Sequence, residues 1–105
     1  RSGQRFIERL YTEGEQAYCR TKTSPYPYYA ARFAAKEAFL KALGTGLREH
    51  MRWRDIEVYH EALDKPALRL YGYLLEHCTA QGITRMHLSM SHSMSHAIAQ
   101  VLLER

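Results

Sequence analysis

From Tyr28 to Leu43 the chain reads YYAARFAAKEAFLKAL. Placed at about 100° per residue, Phe33, Ala34, Ala35, Ala38, Phe39, Leu40 and Leu43 leave no purely polar side. The pattern predicts a helix, and a helix apolar all round is normally buried. Gly44-Thr45-Gly46 follows, with Gly44 placed to take the left-handed conformation that ends a helix. Upstream, Phe6 to Leu10 reads as a short helical segment. Thr12-Glu13-Gly14-Glu15 then has the spacing of a capping box, so a second helix is predicted from Glu13 to Arg20. Two prolines in the polar stretch Thr21 to Pro27 break it and predict a surface loop.

Beyond the glycines the period changes from helical to two. Trp53 to His60 carries Ile56 and Val58 on one face and Trp53 and Tyr59 on the other. Ala67 to Tyr71 alternates likewise, with Asp64-Lys65-Pro66 between, which predicts a β-hairpin. Tyr73 to Gln81 is a short helix ended by Gly82, and Thr84 to Ser91 and Ala97 to Leu103 are two strands joined by a Ser/His turn. Helices early and antiparallel strands late define an α+β fold. No repeat or interdomain linker interrupts 1–105, and 105 residues suit one small domain.

A hydrophobic content of 46% excludes a disordered chain, and no apolar stretch approaches the roughly 18 residues of a membrane span. Signal-peptide architecture is absent from the residues given, which open at Arg1 without methionine. Fifteen Lys and Arg against eleven Asp and Glu leave a formal +4, which favours an anionic partner. Cys19 and Cys78 lack C-x-x-C spacing, so they read as buried thiols in a reducing cytoplasm.

Chemistry concentrates in three places. The apolar helix carries Arg32 with Lys36 and Glu37 with Lys41, each at i,i+4 and on roughly opposite sides. Glu37 and Lys41 make either an ordinary helix ion pair or, held on a rigid buried helix, a site where carboxylate oxygen takes Mg²⁺ and the ammonium neutralises phosphate. In His87-Leu88-Ser89-Met90-Ser91-His92, period two sets His92 with Leu88 and Met90, opposite Ser89 and Ser91. His92 is either a strand-end residue or a functional one, and the Ser-rich setting of His92 and His96 argues against a helical zinc pair. Arg1, Arg5 and Arg9 recur every four residues as a basic stripe, either solvated or a docking surface for an acidic partner.

The segments RFIERLYTEGEQAYC, AARFAAKEAFLKALGTGL, WRDIEV and HLSMSHSMSHAIAQVLLE resemble, in that order, the holo-[acyl-carrier-protein] synthases, group I phosphopantetheinyl transferases. RFAAKEAFLKALGTG is the most specific block, and His60 to Ile83 contributes little. The resemblance implies a cytoplasmic, Mg²⁺-dependent enzyme, homotrimeric with active sites between subunits. Its reaction moves 4′-phosphopantetheine from coenzyme A to a serine of apo acyl carrier protein and releases adenosine 3′,5′-bisphosphate, in support of fatty acid biosynthesis. It further implies Glu37 as the helical magnesium ligand, Lys41 as a phosphate contact and His92 as an active-site histidine. Arg32 matches an arginine near bound coenzyme A, and Arg5 and Arg9 fall where the family docks its acidic carrier protein.

One family feature has no counterpart here. Members begin with an apolar strand ending in an aspartate that supplies a second metal carboxylate, whereas Arg1 already matches the middle of their first helix. The resemblance therefore implies that this strand precedes Arg1 and that 1–105 alone has little or no transferase activity, with Glu57 and Asp55 the first carboxylates to examine otherwise. The alternative from a different class is a small basic module that binds nucleic acid or another polyanion through the arginine stripe and exposed tyrosines. Such a module gives no reason to place Glu37 within an apolar helix.

Overall fold

The computed structural model describes residues 2–105. Arg1, the first member of the expected arginine stripe, lies outside them. The first helix, α1 (Ser2–Leu10), starts ahead of the predicted Phe6 because its first turn is polar and carries no apolar signal. Thr12 opens α2 (Glu13–Arg20) with the predicted capping box: Thr12 Oγ1 accepts the Glu15 N–H at 3.1 Å, and Glu15 Oε1 accepts the Thr12 N–H at 2.9 Å. The central helix α3 (Tyr26–Leu43) begins two residues before the predicted Tyr28. Its prolines cause this, since Pro25 caps the helix and Pro27 sits in the first turn, where a missing N–H costs nothing. Gly44 ends it at φ 85°, as predicted.

The expectation that α3 is buried all round is corrected. Ala31, Arg32, Ala35, Lys36, Phe39 and Leu40 are buried, while Glu37, Lys41 and Ala42 face outward. Alanine is compatible with either side of a helix surface, so the apparent apolar ring was in part an alanine ring.

Trp53–Asp55 is a 3₁₀ turn, not the start of a strand as predicted. It leads into β1 (Ile56–Glu61), which pairs antiparallel with β2 (Lys65–Leu70) in the register Ile56 opposite Leu70 and Val58 opposite Leu68. After α4 (Gly72–Ala80), β3 (Arg85–His92) pairs antiparallel with β4 (Ala97–Glu104), His92 opposite Ala97. Each hairpin is its own two-stranded sheet. The core joins Phe39 and Leu40 of α3 to Ile56, Val58, Leu68, Leu70, Leu74 and Cys78, and the inner face of the second hairpin, Met86, Leu88, Met90, Ala99, Val101 and Leu103, packs against it. Both cysteines are free and buried, and the fold is α+β with helices first. Among the described residues no helix is long and apolar enough to cross a membrane.

Candidate active site

The polar side of the fold is organised by two charges on the buried face of α3. Lys36 is fully buried, and its ammonium donates to Glu15 Oε1 at 2.7 Å, to the Leu10 carbonyl at 2.7 Å and to the Trp53 carbonyl at 3.1 Å. Burial pulls its pKa below the ordinary lysine range, and Glu15 acts against that pull. The other oxygen of Glu15 accepts the Val58 N–H at 2.8 Å. One turn earlier, Arg32 is 2% exposed, with its guanidinium 4.4 Å from the centre of the Tyr18 ring. Arg32 Nη1 donates to the Tyr28 carbonyl at 3.2 Å, whereas Nε and Nη2 are buried without a partner. Sequence spacing had coupled Lys36 to Arg32 and assigned Glu15 to the cap alone; the buried ion pair across two helices was not read, because its members are 21 residues apart.

Strand β3 does reach His92, which leaves the sheet beside the start of α3. The His92 ring meets Tyr28 edge-on at 4.6 Å. Together with Lys22, Thr23, Ser24, Pro27 and Ser93 they line an open cavity of about 540 Å³. The Lys22 ammonium lies 4.5 Å from the centre of the Tyr18 ring and 5.0 Å from that of Tyr28. Lys22 and Tyr28 had no motif to mark them. The turn beyond β3 closes with Ser93 N–H donating to the His96 carbonyl at 2.8 Å, so His92 and His96 do not share a helical face.

Glu37 and Lys41 sit elsewhere. Glu37 is nine residues beyond Tyr28, two and a half turns, which carries it about 13 Å along the helix axis and to the opposite side. The structure thus sets Glu37 beside Lys41 on an exposed face and does not bring either to His92. The ion pairs formed among the described residues are Lys36–Glu15, Arg69–Glu57, Arg85–Glu104 and His87–Glu104, so Glu37 and Lys41 are not spent on each other. An exposed carboxylate with an ammonium one turn on has the chemistry that would suit a magnesium ligand beside a phosphate contact. Arg5 and Arg9 are exposed along α1, and Arg9 borders an apolar recess formed with Leu47, Met51, Trp53 and two further arginines, Arg52 and Arg54.

The chain matches the 4′-phosphopantetheinyl transferase superfamily over residues 1–101. It is 50% identical over 101 residues to the holo-[acyl-carrier-protein] synthase of Geobacter sulfurreducens, covering 96% of this chain and 80% of that protein. The chain belongs to the 4′-phosphopantetheinyl transferase superfamily. Its fold agrees. The crystal structure of holo-[acyl-carrier-protein] synthase from Neisseria meningitidis superposes with a TM-score of 0.89 at 41% identity, covering 98% of this chain and 82% of that one. The Helicobacter pylori holo-[acyl-carrier-protein] synthase in complex with coenzyme A superposes at 0.82 with 29% identity, covering 96% of this chain and 83% of that one. These matches support a transferase and give no support to a polyanion-binding module.

Of the two other carboxylates that sequence singled out, Glu57 is already engaged. Glu57 is buried, with Oε2 accepting from Thr12 Oγ1 at 2.5 Å and Oε1 accepting from the Tyr71 hydroxyl at 2.8 Å. Asp55 lies against Gly72, where φ is 57° and an added Cβ would stand 3.1 Å from Asp55 Oδ1, and burial raises its pKa. Glu57 thus ties β1 to Thr12 and to Tyr71.

Proposed function

We propose that this chain is a holo-[acyl-carrier-protein] synthase, which transfers 4′-phosphopantetheine from coenzyme A to a serine of apo acyl carrier protein and releases adenosine 3′,5′-bisphosphate. The observation that carries the reading is the match, along 96% of the chain, to a holo-[acyl-carrier-protein] synthase at 50% identity. Coenzyme A is the donor by analogy with the Helicobacter pylori complex.

In this reading Glu37 holds Mg²⁺ and Lys41 neutralises the phosphates. Bound magnesium supplies a counter-charge to the oxygens on which negative charge builds as the serine hydroxyl attacks the β-phosphate. Lys41 adds fixed positive charge on a rigid helix, which lowers the reorganisation needed at the moment of reaction. His92 and Lys22 sit together in an open cavity suited to a phosphate-bearing group, and Arg32 holds the backbone of Tyr28 beside them. Because His92 and Glu37 lie on opposite sides of α3, a centre that uses both is assembled from two copies of the chain. A homotrimer with sites between subunits satisfies that requirement. Arg5 and Arg9 dock the carrier protein, and the reaction belongs in the cytoplasm.

The test is incubation of the complete gene product, rather than of 1–105 alone, with coenzyme A, Mg²⁺ and an apo carrier protein, followed by mass spectrometry of the carrier. Addition of one phosphopantetheine per carrier is expected. An unmodified carrier, with coenzyme A bound and the protein folded, would overturn the reading.

A further inference from the structure

The three N–H bonds of the Lys36 ammonium go to three different elements: the last carbonyl of α1 at Leu10, the Glu15 carboxylate in α2, and the Trp53 carbonyl that opens the 3₁₀ turn before β1. An ammonium has three donors, so none is left over. The Leu10 carbonyl is one of the orphan acceptors of a helix C-terminus, which favours a cation there. A second contact acts at the same corner, where the Tyr11 hydroxyl donates to the Tyr29 carbonyl of α3 at 2.9 Å. A third secures α1 from its other side, with Arg54 Nη1 donating to the Glu8 carbonyl at 3.1 Å. The backbone that points Lys36 inward presents its neighbour Glu37 outward.

We infer that Lys36 is a positioning residue: it sets the distance and orientation between α1, which bears Arg5 and Arg9, and the turn of α3 that bears Glu37. The inference rests on the transferase reading above. If the carrier protein is held on α1 and the phosphates are held at Glu37, the serine reaches its target only when those two supports keep a fixed relation. A misplacement near 1 Å costs on the order of 10²-fold in rate. Lys36 touches neither substrate. Its loss therefore leaves docking and coenzyme binding intact and reduces turnover.

The experiment compares the complete wild-type gene product with its double variant Lys36→Met/Glu15→Gln, which removes the buried charges together so that neither is left unpaired. Steady-state rates are measured against apo carrier protein, coenzyme A affinity by calorimetry, and folding by circular dichroism. The expected result is kcat lowered about 10- to 100-fold, with KM for the carrier and Kd for coenzyme A each within about twofold of wild type. An unchanged kcat in the folded double variant overturns the inference. So does a rise in carrier KM at constant kcat, or joint loss of coenzyme A affinity and kcat, since the first is a docking effect and the second a general structural one. Should the double variant not fold, Tyr11→Phe, which removes only the hydroxyl bond to Tyr29, decides by the same split: a smaller fall in kcat at constant KM supports the inference, and wild-type kinetics overturns it. A wild-type enzyme that transfers nothing under these conditions is instead a failure of the transferase reading itself.

Discussion

At the scale of single residues, the value of each charge on α3 follows from which side of the helix it occupies. Glu37 is exposed and, among the described residues, outside every ion pair, so changing it disturbs little else. On the proposed reading, Glu37→Gln lowers magnesium-dependent turnover by at least about 10²-fold while thermal stability stays within about 0.5 kcal/mol of wild type; near-normal turnover would remove Glu37 from the metal site. His60 presents a different case. Its ring stacks on Tyr18 at 4.7 Å, and burial, followed by the nearby Arg32, lowers its pKa from 6.5, while Asp64 pulls the other way. The folded state thus prefers the neutral ring, and between that lowered pKa and about 6.5 the unfolded chain binds more protons. Stability attributable to His60 is complete above about pH 6.5 and declines as pH falls through that value. His60→Gln is expected to flatten this part of the stability-against-pH curve, and an unchanged slope in thermal melts would show that His60 titrates normally.

At the scale of elements, α1 and α2 illustrate opposite uses of a short helix. The start of α2 is fixed from within by the capping box and from without by Glu57, which accepts from the Thr12 hydroxyl. Thr12→Ala removes both contacts and leaves a buried Glu57 oxygen short of a donor, so a loss of about 1–3 kcal/mol is expected. Chemical denaturation measures it, and a change under about 0.5 kcal/mol would mean that the cap contributes little here. Helix α1, in contrast, leaves Arg5 and Arg9 exposed. Arg5→Glu is expected to raise KM for the carrier protein and weaken its salt dependence, with KM for coenzyme A hardly moved, because rim charges act mainly on association. Equal loss for both substrates would point to the active site or to misfolding.

These elements were legible to different degrees. The capping box, the Gly44 terminus and the existence of both hairpins depend on neighbours close in sequence and agree with the spacing, but the first hairpin is shifted: Trp53–Asp55 is a 3₁₀ turn, and Lys65 and Pro66, expected in the turn, lie in β2 opposite Glu61 and His60. The outward placement of Glu37 and Lys41 was not legible, because alanines on their side of α3 look apolar whether covered or not. Nor was the Glu15–Lys36 pair, whose partners meet only after the chain folds back. The cavity at His92 was half visible: the strand phase pointed to the histidine, but Tyr28 and Lys22 join it through packing alone.

For the whole molecule, the distribution of apolar surface bears on assembly. The outer face of the second hairpin carries Ile98 and Leu102, 63% and 58% exposed, beside Arg85, His87 and Glu104. Exposed aliphatics on a sheet face that no other described residue covers are suited to contact with another copy. Ile98→Asp/Leu102→Glu is expected to shift the proposed homotrimer toward smaller species in sedimentation and, on the proposal of a shared centre, to lower activity in step with dissociation. Full activity in a dissociated variant would place the complete site within one chain.

Among the described residues the strands pair only within hairpins, β1 with β2 and β3 with β4, and no strand crosses between the two sheets. That arrangement has a kinetic meaning. Pairings between strands joined by short turns close small loops and form early, in the microsecond range known for isolated hairpins. Packing the two hairpins and α3 against one another closes the longer loops and carries the larger entropic cost, whereas each strand's register is set against a partner close in sequence.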